Sequence, residues 1–411
     1  MQKIIQYLLG RKNFKKNLKS QHFLVDNVHL TSLRIWCYLP LILFLIMGLF
    51  SCGNPSSTKS NPQVTPSENT DTKVTFFGVA LEQFDQVGKP LWKVQAKEAK
   101  YTTDKKIGEA KNPQGQLYQD GKIVYYIKAD QADILQDGKQ LFLKGEIIAT
   151  DSRNGIVLMG NELEWRPEED LLIIRNQLRG NRKNLQAVAK EARAKTREEK
   201  VELLGGVIAT SSKEPQLKVQ TEHLIWQVKQ DKLIGDRLIK IESYQNNKLN
   251  GNGQGNGAEI NLKTQIVTLK PQAQLNLIDP SMQVNSNSLT WNIPQQTVQS
   301  NAAIKVVHNV EKVTVTGNQG TMKIADKIVD ITGDVQAIGE RKQSLKSNKL
   351  TWYLDKKLVE AQGNVFYQQN DPELNFQGQT AIGNLQTEDI TVKGGNSGNR
   401  VITEIIPNDI K

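Results

Sequence analysis

Four of the six tryptophans fall two residues after a leucine, in NELEW (161–165), EHLIW (222–226), NSLTW (287–291) and NKLTW (348–352). Consecutive copies are 61 to 65 residues apart. A period held over most of a 411-residue chain limits the possible folds more than any other feature. Each repeat must be one supersecondary unit that buries its apolar face by stacking on the next.

A shorter period lies inside that one. The pattern apolar–x–small–x–x–apolar (or small) returns about every 31 residues. It runs from Val94, Ala96 and Ala99 through Leu158, Gly160 and Leu163 to Phe376, Gly378 and Ala381, with a weak copy at Gly255, Ala258 and Ile260. A short polar turn follows each copy, such as QDGK (136–139), VKQDK (228–232) or LDKK (354–357). A run of strict period two comes next, as in Leu141, Leu143, Gly145, Ile147, Ala149 or Val329, Ile331, Gly333, Val335, Ala337. Such alternation predicts a strand with one buried face, and the Asp/Gly/Lys links predict hairpin turns. Each unit is then two antiparallel strands, with roughly twenty strands in all.

In the first strand of each unit the apolar spacing is two, three, two. The step of three breaks alternation and predicts a bulge or bend. Mid-strand Gly145, Gly205, Gly333 and Gly363 predict a line along which the strands fold over, where two walls approach too closely for a side chain. AVAKEARAKTREEK (187–200) has helical propensity. The repeat instead makes it strand, turn and strand, and tertiary context overrides propensity. GNGQGNG (251–257) lacks the setting of a dinucleotide fingerprint and reads as a loose surface loop.

Trp165, Trp226, Trp291 and Trp352, with Leu163, Leu224, Leu289 and Leu350, are the candidate inward residues. They either fill a solid core or line a cavity that holds something apolar. The many small inward residues favour the cavity, since a solid core of this length calls for larger side chains.

The net charge of +10 is concentrated at the start of the chain. The first 52 residues hold seven Lys/Arg and one Asp/Glu, which leaves the body a surplus of only four. A nucleic-acid footprint on the body is therefore not expected. Basic residues precede the apolar run IWCYLPLILFLIMGLF (35–50), which is short for a spanning helix and fits a signal-peptide core. Leu49-Phe50-Ser51-Cys52 resembles a bacterial lipobox, which implies a lipidated Cys52; an uncleaved anchor with its basic side inside is the alternative. Residues 53–73 read as a Ser/Thr/Pro/Asn linker. Cys37 and Cys52 are the only cysteines, so the body holds neither disulfide nor thiolate chemistry. The histidines lack metal-ligand spacing, and no nucleophile elbow, P-loop or zincin motif occurs. No catalytic residue, metal or cofactor is expected.

Asp85, Gly88, Trp92, Ala96, Ala99 and Tyr101, within FFGVALEQFDQVGKPLWKVQAKEAKY (76–101), resemble the opening of the LptC family. This is the membrane-tethered periplasmic component of lipopolysaccharide export. The later units resemble the OstA-like repeats shared by LptC and the bridge protein LptA. The resemblance is good over about 74–210 and looser, but consistent with the repeat, to about 400. The chain is about twice the usual length of the family's single domain, whose anchor is a transmembrane helix, so the lipobox is a departure. The resemblance implies an elongated antiparallel β-jellyroll (β-taco) open along one side, with acyl chains of lipopolysaccharide inside. It also implies as partners an inner-membrane ABC transporter and an LptA-like bridge protein joined by edge-strand pairing, at the periplasmic face of the inner membrane.

The expected organisation is a signal or anchor (1–52), the linker (53–73), a first LptC-like half (74–245), a continued roll or second domain (246–400) and a tail (401–411). The competing function is a structural β-solenoid lipoprotein, a scaffold or adhesin with a solid core, for which a parallel β-helix is the usual form.

Overall fold

The structure is a computed structural model that describes residues 73–102, 107–135, 140–370, 373–395 and 400–405. The chain divides into Met1–Ser67 and Glu68–Lys411. The candidate lipidation site Cys52, the apolar run, the linker up to residue 72 and the QDGK turn lie outside the described residues.

All thirty strands join one sheet, and every pairing is antiparallel, from Lys73↔Thr102 at one end to Phe376↔Thr403 at the other. Nine pairs of consecutive strands, such as Lys232–Gly235 with Ile239–Gln245, are two halves of one bent pass. The described residues therefore make twenty-one passes, each bonded to the pass before and after it in sequence. This is a meander folded lengthwise. A crease across the middle of every pass turns half of it into one layer and half into the other. The AVAKEARAKTREEK segment is strand 185–195, a turn and the start of strand 200–211, as the repeat requires.

The crease forms in two ways. In continuous passes it is a bulge where the register slips, as between Leu204 and Val207 or Thr332 and Val335. Gly145, Gly205, Gly333 and Gly363 sit at these bulges with φ of 76° to 78°, a region L side chains avoid. This changes the reason for the glycines. They do not separate two opposing walls: a Cβ on Gly205 or Gly333 would strike Lys190 or Asn318 of the adjacent pass. Between residues 232 and 323 the passes instead break at the crease into strands of four to eight residues.

The two long edges of the folded meander are rows of turns. The first, here called the tryptophan edge, is built to one pattern. Turns 167–170, 196–199, 228–231, 293–296, 324–327 and 354–357 each end on a left-handed residue with φ between 48° and 52°. The carbonyl of that residue accepts from the first N–H of the next turn: Asp170 from Thr196 (2.9 Å), Asp231 from Leu262 (2.8 Å), Gln296 from Ile324 (2.8 Å), Lys327 from Leu354 (2.9 Å). The ladder thus continues through the turns, and a repeat that gained or lost a residue here would break it. The opposite edge, the far edge, varies from the two-residue link 183–184 to the five-residue link 339–343.

GNGQGNG is not a loose loop. Residues 248–255 form a strand whose glycines face inward, and 258–261 is the second half of the same pass. A Cβ on Gly253 would meet Leu269 at 2.8 Å, and one on Gly251 the Trp291 ring at 3.3 Å. The outward amides join a ladder, Asn276 to Asn252 (3.0 Å) and Gln254 to Gln274 (2.9 Å).

Candidate functional site: the interior and its seam

Period two sends one residue in two from each layer into the space between them. One interior row runs parallel to the tryptophan edge. Trp165 stands between Leu141 and Leu172 of the adjacent passes, and Trp226 between Val201 and Leu233. Trp291 lies between Val267 and Val298, and Trp352 between Val329 and Val359. Adjacent passes lie about 4.8 Å apart, so an indole is flanked by aliphatic side chains. Leu163, Leu224, Leu289 and Leu350 form a second row two residues deeper. All eight are at most 3% exposed, so the structure gathers every residue of this set in one interior.

The indoles also reach the other layer. Trp165 Nε1 donates to the Leu91 carbonyl at 3.4 Å. The Arg182 guanidinium lies 6.0 Å from the Trp226 ring, Gly251 abuts Trp291, and the His308 ring is 5.5 Å from Trp352. Each tryptophan is a rung between the layers, one in every four passes. Burial holds the His308 imidazole below its usual pKa, partly offset by Glu311.

The two turn edges face each other, and side chains span the gap. Gln119 donates to Asp170 (2.6 Å), and Arg197 joins Asp120 (2.8 Å) to Asp170 (2.7 Å). Arg153 donates to the Thr196 carbonyl (2.6 Å) while paired with Asp151, and Arg182 pairs with Asp231 at 2.5 Å. Gln265 donates to the Pro215 carbonyl (2.8 Å), and Lys213 to that of Lys263 (2.9 Å). Lys327 reaches Asp279 and Lys357 reaches Glu311, both at 3.6 Å, and Arg341 pairs with Glu388. The side that the resemblance leaves open is a laced seam in this chain. No sequence signal pointed to these residues, because the chemistry changes from contact to contact.

The interior loosens toward the C-terminal end. A cleft of about 290 Å³ lies there, lined on one side by Val313, Leu345, Val359, Tyr367, Leu385 and Ile390 and on the other by polar groups that include Glu311, Arg341 and Glu388. Val359, Tyr367, Leu385 and Ile390 are only partly buried. Burial raises the Tyr367 phenol above its usual pKa.

The outer faces differ along the length. On the layer of the tryptophan edge, cross-strand ion pairs dominate the first half: Lys111 to Glu98 (3.2 Å), Lys144 to Asp133 (2.6 Å), and Arg175 to Glu164 (3.1 Å) and Glu191 (2.8 Å). Burial opposes ionisation of Glu164, but hydrogen bonds from Arg166 and Arg175 prevail and hold its pKa below normal. Further on, Thr268, Thr290, Gln299 and Thr321 form an uncharged cross-strand row.

The sheet has two terminal strands. Lys73–Phe84 pairs on one side only, with Pro90–Thr102, and exposes Phe76 and Phe77. At the other end, 390–393 and 402–405 pair only with 373–384, and Ile402 is exposed. An unpaired edge is a template for a further strand. Among the described residues no group of three or more His, Cys, Asp or Glu could hold a metal, and no helix is long and apolar enough to cross a membrane.

The chain matches the family model described as lipopolysaccharide-assembly, LptC-related, in three segments: 39–171, 170–277 and 303–399. No curated protein matches it. Among solved structures it is similar to LptH of Pseudomonas aeruginosa, described as the LptA-homologous periplasmic component of the lipopolysaccharide transport device. Identity is 14%, the match covers 31% of this chain and 99% of that one, and the TM-score is 0.28.

Proposed function

Because the chain belongs to the LptC-related lipopolysaccharide-assembly family, we propose that it is a membrane-tethered periplasmic component of lipopolysaccharide export. It takes acyl chains from an inner-membrane ABC transporter and hands them to a periplasmic bridge protein. The observation that carries this reading is the unbroken apolar interior. Its rows continue across the 245/246 boundary, where buried Ile241 pairs with Gly253 and buried Ile239 with Gly255. We therefore read 74–400 as one continuous roll. Each acyl CH₂ moved from water into such an interior gains about 0.8 kcal/mol, so a continuous apolar route removes the main barrier to carrying lipid through water. The terminal strands at 73–84 and 390–405 are the surfaces for partners, by strand addition. Tethering falls to Cys52 or to the apolar run before it.

The test is photo-crosslinking in living cells, with a crosslinking amino acid at Trp226, Leu289 or Tyr367 and at Lys229 as an outward control. Lipopolysaccharide adducts at the inward positions alone, lost when ATP is depleted, are expected. A folded, membrane-localised protein with no inward adduct would overturn the reading. It would favour a structural lipoprotein with a solid core, to which one observation speaks: the four tryptophan rungs fill the space between the layers.

A further inference from the structure

The seam is not uniform along its length. In its middle the contacts are sheltered. Arg182 is 14% exposed and lies against Trp226, and Gln265 is 3% exposed. Toward the C-terminal end the contacts are ion pairs, partly exposed at first and exposed on both sides at the last. Lys327–Asp279 and Lys357–Glu311 are stretched to 3.6 Å, and both partners of Arg341–Glu388 are 61% exposed. Exposed pairs hold weakly and are screened by salt, whereas sheltered ones are not. The interior behind the seam follows the same gradient. Beside Arg182 and Trp226 there is a pocket of about 180 Å³, and behind Arg341 the larger one of about 290 Å³ that Val313, Leu345, Val359, Tyr367, Leu385 and Ile390 line. The last rung, Trp352, stands one pass before Val359, and the following two passes bring only Gly383 and Ile390 into that row. A Cβ on Gly383 would meet nothing within 4 Å.

We propose that the far-edge turn 339–343 and the tryptophan-edge turn 385–389 form a lateral gate, latched by Arg341–Glu388 and backed by Lys357–Glu311. It opens sideways onto the end cavity, while the sheltered seam from Arg153 to Gln265 stays shut. A long apolar chain therefore enters or leaves between these two turns, without threading past the terminal strand. The choice of an acyl chain as the passenger rests on the proposed function; the opening itself does not.

The experiment measures the opening directly. Spin labels carried on non-natural amino acids, which leave Cys37 and Cys52 intact, are placed at Lys342 and Thr387 across the gate. A second pair at Lys183 and Lys229 spans the middle of the seam. In the full-length protein in detergent, Arg341→Ala is expected to raise the long-distance fraction of the 342–387 pair about two-fold, the scale of one exposed ion pair. Adding Lys357→Ala, or raising salt from 0.1 to 0.5 M, widens it further. The 183–229 distance stays unchanged, and binding of the dye N-phenyl-1-naphthylamine rises with the open fraction. A 342–387 distribution that ignores both substitutions and salt overturns the gate. Equal widening of both pairs also overturns it, since that is general loosening. A gate that opens without inward lipopolysaccharide adducts would sink the transport reading alone, and adducts in a chain whose gate stays rigid would sink the gate alone.

Discussion

On the tryptophan edge most turns are four residues long, end on a left-handed residue and bond to the turns before and after. On the far edge the links run from two residues to five, and few bond to one another. Both edges belong to the same passes, so the difference is not one of fold. The edge with a backbone ladder through its turns fixes the repeat length, and the other absorbs the variation. The seam contacts cross in both directions: Arg153, Arg182 and Arg341 reach from the irregular edge, and Arg197, Gln265, Lys327 and Lys357 from the regular one.

The sharpest test of that contrast is to shorten one edge and lengthen the other. Deleting Gln230 should cost several kcal/mol in urea unfolding, because it uncouples the ladder at Val228 and Leu262 and shifts the side chains beyond it to the wrong face. Inserting one glycine between Asn246 and Asn247 should cost about 1 kcal/mol or less. Equal costs would mean that neither edge sets the repeat. Trp291→Ala removes a rung flanked by two valines and should lower stability by about 3–5 kcal/mol; a loss under about 1 kcal/mol would show that the rung bears no load.

Smaller effects separate the crease from the rest. Gly333→Ala forces an L residue to φ 76° and should cost about 1–2 kcal/mol. Gly383→Ala, in open space at ordinary φ, should be nearly neutral by thermal melting. The smallest effect comes from His308, on the far-edge side of the Trp352 rung. Its folded pKa lies below the ordinary 6.5, so between those values the unfolded chain holds a proton that the folded chain lacks. Stability should therefore fall as pH drops below about 6.5, levelling once the folded imidazole also protonates. His308→Gln should flatten that part of the stability–pH curve. An unchanged slope would assign it to carboxylates such as Glu164.

The strands and the inward rows were legible because alternation is a local signal and the repeat copies it many times over. Leu350 and Trp352 face inward for the same reason as Leu163 and Trp165. The seam was not legible. Most of its partners lie 43 to 52 residues apart, and no two neighbouring contacts use the same pair of residue types. GNGQGNG misled for a related reason. Its inward residues are glycines, which carry no hydropathy, and only the indole of Trp291 and the side chain of Leu269 on nearby passes explain why they must be small. The crease glycines were found by position but not by cause, since a positive φ is a property of the backbone that no side-chain pattern displays.

Because every pass bonds only to its sequence neighbours, the body has no closing contact between its first strand and its last. Its extent is set by counting. A duplicated 31-residue segment inserts two passes, adds about 10 Å along the stack and requires no new interface, since each copy meets surfaces identical to those it displaced. Such a chain can be lengthened or shortened in fixed increments to match the width of the gap it must cross, as a ruler is cut to size between its marks.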